Sequence, residues 1–183
     1  MLRLVAGTHR GRRLVAPPGR IARPTADRVR QALFDMLAHG GLVELEEARV
    51  VDAFAGSGAL GLEALSRGAA RAWFLDTHPE SLAAIRANVA SLGEEGRARV
   101  LRADATRPPP AEAACDLLLL DPPYHQGLGG AALGALDAAG WVAPGALAVI
   151  EVAADEDLVA PPGFTLADQR GHGPARLFFL RKG

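Results

Sequence analysis

ARVVDAFAGSGALG, residues 48–61, is the stretch that decides the fold. Its first part, up to Ala55, is a short β-branched run, and its second part is a glycine-rich turn leading into a predicted helix that ends at Gly68. A buried strand that passes through a glycine turn into a helix is typical of α/β proteins with a parallel sheet. Ligands of such sheets bind beyond the carboxyl ends of the strands. We therefore predict an α/β fold whose functional residues follow the strands.

The chain after this unit repeats the alternation of strand and helix. Continuous apolar runs predict strands, and the segments between them predict helices. The further strands are expected at 71–76, 98–104, 115–121 and 145–153, and the helices at 79–93 and 128–140. Two last strands, 164–169 and 175–182, are expected to form an antiparallel pair. The prediction is a doubly wound sheet of about seven strands with helices on both faces.

The residues before the sheet predict an N-terminal arm followed by a helix. Residues 1–22 alternate weakly and are interrupted by glycine and proline, which is typical of an extended arm or a short hairpin. Residues 24–39 predict a helix with Thr25 as its N-cap, bridging to the sheet core from residue 48. We therefore divide the chain into a basic arm, 1–22, and one domain, 23–183.

Charge is distributed unevenly along the chain. The whole chain has 20 basic and 21 acidic residues, a net charge of −1, but residues 1–30 contain eight arginines and one aspartate and sum to +7. The remaining residues sum to −8. Such asymmetry indicates a polyanionic partner, and the alternative is an arginine-rich, partly disordered leader. The residues expected to contact such a partner are Arg3, Arg10, Arg12, Arg13, Arg23 and Arg28.

Several classes of protein are excluded by composition. With 49% hydrophobic and 22% charged residues the chain can bury a core, and no apolar run approaches the ~20 residues of a membrane span. The basic N-terminus lacks the apolar segment of a secretory signal. A single cysteine, Cys115, excludes a disulfide framework and a zinc cluster, and we expect it in the core. We expect a cytoplasmic protein without a metal, and the charge asymmetry favours a monomer.

Aspartates stand at the carboxyl ends of four consecutive predicted strands: Asp52, Asp76, Asp104 and Asp121. Because these ends meet at one edge of a parallel sheet, we expect the four carboxylates to surround one site. The glycines after the first strand spell GxGxxG at 56, 58 and 61, a pattern shared by dinucleotide sites and by many unoccupied turns. Gly56 and Gly58 allow the backbone to approach a ligand closely.

The position of Asp52 favours a ligand without phosphate. Asp76 lies at the distance expected for a residue that binds a ribose, which is compatible with NAD. Asp52, directly before the turn, would repel a pyrophosphate but suits a cationic amino group. S-Adenosylmethionine has such a group, a ribose and an adenine amine that Asp104 could bind. The residues expected to hold this cofactor are Thr25, Asp52, Phe54, Gly56, Ser57, Gly58, Asp76 and Asp104; Thr25 is equally compatible with an RNA contact or a cap alone.

The segment Asp121-Pro122-Pro123-Tyr124 is the most specific motif of the chain. Two prolines fix the backbone and remove two N–H donors, so that the local carbonyls remain available as acceptors. The Asp121 carboxylate and the Pro122 carbonyl can accept the two hydrogens of an exocyclic amine. Tyr124 offers a ring on which a base can stack, worth roughly 1–3 kcal/mol. These four residues are the candidate catalytic residues, and the alternative is a rigid turn.

Asp-x-Phe-x-Gly-Ser-Gly at 52–58 followed by Asp-Pro-Pro-Tyr resembles the S-adenosylmethionine-dependent methyltransferases of exocyclic amino groups. The segments 23–34 and 54–69 are similar to the bacterial 16S rRNA guanine-N2 methyltransferases, and this resemblance covers nearly the whole chain. It implies a class I methyltransferase fold, Rossmann-like, with a guanine in 16S rRNA of an assembled or assembling small subunit as the substrate. Asp76 stands where the family commonly has glutamate, and Tyr124 where phenylalanine is frequent.

Two other functions remain compatible with these residues. The Asp-Pro-Pro-Tyr motif also serves adenine-N6 methyltransferases that act on DNA or RNA. A module that binds a nucleotide such as NAD, or RNA, without catalysis is the alternative from another class. Outside the motifs, we expect Glu151 to be structural or peripheral, and His125 to contact RNA or to lie in a solvated loop.

Overall fold

Strands and helices alternate along the chain from residue 49 to residue 102. The computed structural model describes residues 1–19 and 24–183, with the side chains of 24–26 outside that description. The helices are α1 (Pro24–His39), α2 (Ala59–Ser66), α3 (Pro79–Leu92) and α4 (Leu128–Ala138). The strands are β1 (Arg49–Ala53), β2 (Arg71–Asp76), β3 (Ala98–Arg102), β4 (Cys115–Leu120), β5 (Val142–Ala153), β6 (Phe164–His172) and β7 (Ala175–Lys182).

The seven strands form a single sheet in the order β3-β2-β1-β4-β5-β7-β6. Strands β1 to β5 pair in parallel, and β7 pairs antiparallel with both β5 and β6. The predicted doubly wound sheet with an antiparallel last pair is thereby confirmed. The strand order reverses between β1 and β4, and a crevice forms at the carboxyl ends of strands at such a switch point.

Apolar side chains cover the sheet on both faces, which explains why the strands have continuous apolar sequences. On one face, α1, α2 and α3 pack with Phe34, Phe74 and Phe179 in a single core cluster. On the other face, α4 packs against a cluster that contains Trp73 and Trp141, whose rings meet edge to face at 6.2 Å. The two clusters fix the sheet between layers and hold the strand ends in position.

The N-terminal residues form a hairpin that packs on the face covered by α1 to α3. Leu4 N–H donates to the Arg12 carbonyl at 3.0 Å, and Leu14 N–H donates to the Leu2 carbonyl at 2.9 Å. Leu2, Leu4 and Leu14 are buried in the same cluster as α1, α2 and α3. The alternative of a disordered leader is therefore wrong for the described residues of this segment. The predicted domain boundary at 22/23 lies outside the described residues and stays a prediction.

Buried polar groups of α2 hold this hairpin in place. The Glu63 carboxylate accepts hydrogen bonds from the N–H groups of Val5 at 2.9 Å and Ala6 at 3.0 Å. Glu63 has no exposed surface, and its charge is balanced by Arg67 at 2.9 Å and Arg30 at 3.7 Å. A buried carboxylate with cationic partners and backbone donors is a well-satisfied group, so Glu63 joins the hairpin firmly to the domain.

Several details of the elements differ from the sequence prediction, among them the N-cap of α1 and the bounds of β5 and β6. Helix α1 begins at Pro24, so Thr25 is inside the helix and is not its N-cap; proline suits a first helical position because it has no N–H to leave unpaired. Strand β5 begins at Val142 rather than 145, because Val142 pairs with Cys115 across an irregular register. Strand β6 continues to His172, where it pairs with Ala175 of β7. Among the described helices, none is both long and apolar enough to cross a membrane.

Candidate functional site

A cleft of about 600 Å³ opens at the carboxyl ends of β1, β4 and β5. The turn after β1 and the Asp-Pro-Pro-Tyr segment after β4 form one side of it. Ala16 and Pro17, which follow the hairpin, and Val29 and Leu33 of α1 form another. The cleft therefore lies at the switch point of the sheet, where the sequence pattern predicts a ligand site.

The turn between β1 and α2 has an unusual backbone. Gly56 and Gly58 adopt φ angles of 60° and 79°, which only glycine adopts readily. Phe54 also has a positive φ, 63°, and lines the cleft, so a non-glycine residue holds a costly conformation at this site. Gly61 serves packing instead, because a Cβ atom there would lie 2.5 Å from the Phe74 ring. Gly56 and Gly58 thus allow the backbone conformation of the turn, whereas Gly61 allows close packing.

Asp52 lies at the floor of the cleft and is 1% exposed. Its Oδ2 accepts a hydrogen bond from Gly61 N–H at 2.9 Å, whereas Oδ1 is buried without a hydrogen-bond partner among the residues that the structure describes. Burial raises the pKa of Asp52 well above its ordinary value, and the negative charges of Asp121 and Asp76 raise it further against the Gly61 hydrogen bond. A buried carboxylate oxygen of this kind fits a ligand that brings a donor or a positive charge.

Asp76 ends β2 and Asp104 follows β3, but neither lines this cleft. Asp76 is buried and accepts hydrogen bonds from Gly56 N–H at 2.8 Å and His78 N–H at 2.9 Å, which holds the glycine turn against the start of α3. Asp104 is exposed, and the hydroxyl and N–H of Thr106 lower its pKa by donating to it at 2.7 and 2.8 Å. The structure therefore places Asp76 beside the glycine turn and Asp104 further out.

The segment after β4 brings Asp121, Pro122, Pro123 and Tyr124 to the cleft. The Tyr124 hydroxyl donates a hydrogen bond of 2.6 Å to Oε1 of Glu151, the residue that follows Ile150 in β5. Burial raises the pKa of Glu151, while the Tyr124 hydrogen bond opposes this shift. Glu151 was expected to be structural or peripheral; it is not peripheral, because it lines the cleft beside Tyr124. Its position at the end of a strand was the signal that could have identified it.

Asn88 of α3 is a second residue that the motifs did not reveal. Its side-chain amide donates to the Ser57 carbonyl and to the Val15 carbonyl, both at 2.9 Å, and its Oδ1 accepts from Val15 N–H at 2.7 Å. Asn88 is 1% exposed, so these bonds are shielded from water. It joins the glycine turn to the segment that leads from the hairpin into the cleft wall.

Comparison with known proteins assigns the family. The model of the family described as conserved hypothetical protein 95 matches residues 2–181. Ribosomal RNA small subunit methyltransferase D from Haemophilus influenzae is 33% identical over 176 residues, which cover 94% of this chain and 89% of the relative. The chain belongs to the family that this model describes and that includes methyltransferase D, the methyltransferase D family.

Solved structures agree with membership of the methyltransferase D family. The Escherichia coli protein yhhF superposes with a TM-score of 0.84 at 33% identity, covering 99% of this chain and 97% of that chain. An RNA methyltransferase from Salinibacter ruber, solved in complex with S-adenosyl-L-homocysteine, is only 13% identical but superposes with a TM-score of 0.66, covering 88% and 94%. The second likeness shows a shared fold, and the expected class I methyltransferase fold is confirmed.

Five of the six arginines that are expected to contact RNA are exposed, on the hairpin and on α1 of this methyltransferase D family member. They are Arg3, Arg10, Arg12, Arg13 and Arg28. Arg12 also donates to the Ser91 carbonyl of α3 at 2.5 Å. Arg30 is different: it is 5% exposed and is held by Asp27, Glu63 and the Arg3 carbonyl, so its charge is used inside the protein. Arg23 and the side chain of Thr25 lie outside the described residues.

Proposed function

We propose that this protein transfers the methyl group of S-adenosylmethionine to the N2 amino group of a guanine in 16S rRNA of the small ribosomal subunit. The observation that carries the proposal is the meeting of Asp52 and the Asp-Pro-Pro-Tyr segment in one cleft. A buried carboxylate for a cationic ligand and an acceptor pair for an amine are the two parts that this reaction needs. Membership of a family whose relatives are named rRNA methyltransferases supports the substrate.

The cofactor side of the cleft is formed by the turn after β1. S-Adenosylmethionine supplies an electrophilic sulfonium methyl group when bound. Asp52 offers its Oδ1 to the ammonium group, and the glycine turn presents backbone close to the ligand. Asp76, already fixed between Gly56 and His78, is proposed for the ribose. The remaining proposed contacts are Thr25, Phe54, Ser57, Gly58 and Asp104.

The target amine is proposed to bind at the segment after β4. Guanine N2 is a weak nucleophile because its lone pair is delocalised into the ring. Accepting its two hydrogens at the Asp121 carboxylate and the Pro122 carbonyl favours a pyramidal nitrogen and directs the lone pair toward the methyl group. Pro123 stiffens this backbone, and Tyr124 provides the ring on which the base stacks. The proton leaves after transfer, when the nitrogen has become strongly acidic.

The RNA is proposed to approach over the hairpin. Because Ala16 and Pro17 line the cleft, the exposed arginines of residues 1–14 lie on the same structural unit as one wall of the site. A base within a helix or loop must turn out of its stack to reach Asp121, which costs a few kcal/mol. Arginine contacts to phosphates offset this cost and make binding dependent on salt.

Methyl transfer to small subunits isolated from cells that lack this protein tests the proposal. Labelled S-adenosylmethionine should give N2-methylguanosine in 16S rRNA with the wild-type protein, and Asp121→Ala should lower the rate by at least about 100-fold. Equal, background-level labelling by both proteins contradicts the proposal. N6-Methyladenosine in the digested product supports the adenine alternative instead. Tight calorimetric binding of NAD, with none of S-adenosylhomocysteine, supports a binding module.

A further inference from the structure

Glu151 lies directly beside the segment proposed to hold the target amine. Strands β4 and β5 pair in parallel, with Leu120 opposite Ile150. Asp121, which follows β4, is therefore next to Glu151 of β5. Neighbouring strands lie about 4.8 Å apart, and both carboxylates line the same cleft. The side-by-side arrangement places a second acceptor next to the one that is proposed to bind guanine N2.

The Glu151 carboxylate is held in a fixed orientation and can accept further hydrogen bonds from a ligand. Tyr124 Oη donates to Oε1 at 2.6 Å, which ties the carboxylate to the ring on which the base is proposed to stack. A carboxylate can accept about four hydrogen bonds, so one bond from Tyr124 leaves most of its capacity. Glu151 is partly buried, and a hydrogen bond to a charged group shielded from water is among the stronger ones.

Guanine and adenine differ at the atom next to the amine. In guanine, the N2 amine lies between two ring nitrogens: N1, which carries a hydrogen and donates, and N3, which accepts. In adenine, the neighbour of the N6 amine is also N1, but there it carries a lone pair and accepts. A carboxylate beside the amine site therefore attracts guanine and repels adenine.

We propose that Glu151 is a specificity-determining residue that accepts the N1–H of the target guanine. The proposal rests on the proposed function, since it takes the N2 amine to be held by Asp121 and Pro122. A charge-assisted hydrogen bond contributes about 1.5–3 kcal/mol, which corresponds to roughly 10–150-fold in kcat/KM. Glu151 thereby adds a selection for guanine that the four-residue motif, which also suits adenine, does not supply.

A target base with the N2 amine but no N1–H tests this assignment. Once the modified guanine has been located, that position in the small-subunit RNA is replaced by 2,6-diaminopurine, in which N1 accepts. The wild-type protein should prefer guanine over diaminopurine by roughly 10–100-fold in kcat/KM. Glu151→Gln keeps an oxygen for Tyr124 and replaces the other by an NH₂ donor that matches an accepting N1. It should reduce the preference to a few-fold or less.

The same exchange at Glu95, which is exposed after α3, is the matched control and should leave the wild-type preference unchanged. A wild-type protein that methylates guanine but shows no preference, or a Glu151→Gln variant with the full preference, overturns the assignment while the proposed function stands. Glu151→Gln that binds S-adenosylhomocysteine normally but is equally inactive on both bases also overturns it.

If that variant loses S-adenosylhomocysteine binding, Glu151→Asp, which keeps the carboxylate, must retain the guanine preference. No methylation of guanine N2 by the wild-type protein rejects the proposed function itself.

Discussion

Asp52 lies near the carboxyl end of β1 and Asp104 follows β3, but their surroundings shift the two pKa values in opposite directions. Asp52 is buried, and its pKa is raised chiefly by burial. Asp104 is exposed, and its pKa is lowered by the two hydrogen bonds from Thr106. The ionised form of Asp52 therefore lowers the free energy of unfolding, whereas the ionised form of Asp104 raises it. The cost at Asp52 is what a cationic ligand would relieve.

Replacement of Asp52 by asparagine should stabilise the protein in the absence of ligand. Because the folded-state pKa of Asp52 lies above the unfolded value of about 3.9, ionisation costs stability as the pH rises through this window. The melting temperature of Asp52→Asn should match the wild type near pH 4 and exceed it by about 2–6 °C at pH 8, from roughly 0.5–2 kcal/mol. Calorimetric affinity for S-adenosylhomocysteine should fall by 10-fold or more. A pH-independent difference in melting temperature argues against this account.

The matched variant Asp104→Asn should behave in the opposite sense. Since the folded-state pKa of Asp104 is lowered, its stabilising effect is present at neutral pH and is lost as the pH falls through that pKa. The variant should therefore be less stable than the wild type at pH 7, and the two should converge in acid. Thermal unfolding of both variants over one pH series measures the two signs together. If both variants changed the melting temperature in the same direction at neutral pH, the opposite pKa shifts assigned to Asp52 and Asp104 would be contradicted.

At the level of elements, the hairpin depends on very close contact with α2. Gly7 has φ of 80°, and a Cβ atom there would lie 1.7 Å from the Ser66 carbonyl oxygen. Thr8 N–H donates to that carbonyl at 2.8 Å, and His9 N–H donates to the Ser66 hydroxyl at 3.0 Å. Only glycine permits this approach of two backbones, so Gly7 places the hairpin where the residues that follow it can line the cleft.

Comparing Gly7→Ala with a control variant should separate the cost of disrupting this contact from the cost of a positive φ angle. Gly11 has the same φ of 80°, but a Cβ atom there meets nothing within 4 Å, so Gly11→Ala is the matched control. We expect Gly11→Ala to lose about 1–2 kcal/mol and Gly7→Ala to lose at least about 2 kcal/mol more. Denaturant unfolding measures both free energies. Equal losses would show that the hairpin does not need its close contact with Ser66.

Asn88 connects the hairpin segment to the glycine turn, and its exchange for aspartate should disturb both. The carboxylate keeps an acceptor for Val15 N–H but turns an acceptor toward the carbonyls of Val15 and Ser57. We expect Asn88→Asp to lose about 2–4 kcal/mol at pH 8, with part recovered toward pH 5 as the introduced carboxyl takes up a proton and donates. Asn88→Ala should show no such recovery. Thermal unfolding of the two variants at both pH values checks this.

These elements also show which features can be predicted from the sequence. The strands and the Asp-Pro-Pro-Tyr turn were predictable because their signals are local: continuous apolar runs, glycines and two adjacent prolines. The bonds of Glu63 to residues 5 and 6, and of Asn88 to residue 15, join positions more than 55 residues apart. A buried polar residue within a helix gives no sign in the sequence of its distant partner. Glu151 could be predicted only in part. Its position near the end of a strand is evident from the sequence, whereas its hydrogen bond with Tyr124 is not.

At the scale of the whole molecule, the positive charge is concentrated in the N-terminal part of the chain, and Ala16 and Pro17 of that part line the cleft. Residues 1–30 sum to +7, but Arg30 and Asp27 form an internal pair at 3.2 Å. The exposed arginines of the hairpin remain on its surface, and the acidic excess lies in the rest of the chain. If the proposed function holds, this charge distribution would favour phosphates on the basic hairpin and hydrogen-bond donors in the cleft, which has several carboxylates.

This distribution of charge predicts how RNA affinity depends on salt. Each phosphate contact releases counterions, so removing one should reduce the slope of log K against log salt by about 0.7–0.9. Arg10→Ala and Arg13→Ala together should therefore reduce the slope for 16S rRNA by up to roughly 2, while S-adenosylhomocysteine binding stays at the wild-type value. Arg170 of β6, exposed and paired with Asp168 at 3.1 Å, is the control arginine, and its exchange for alanine should leave the slope unchanged. Filter binding over a salt series measures all three slopes. An effect of Arg170 equal to that of the hairpin pair would mean that RNA contacts the far edge of the sheet as well.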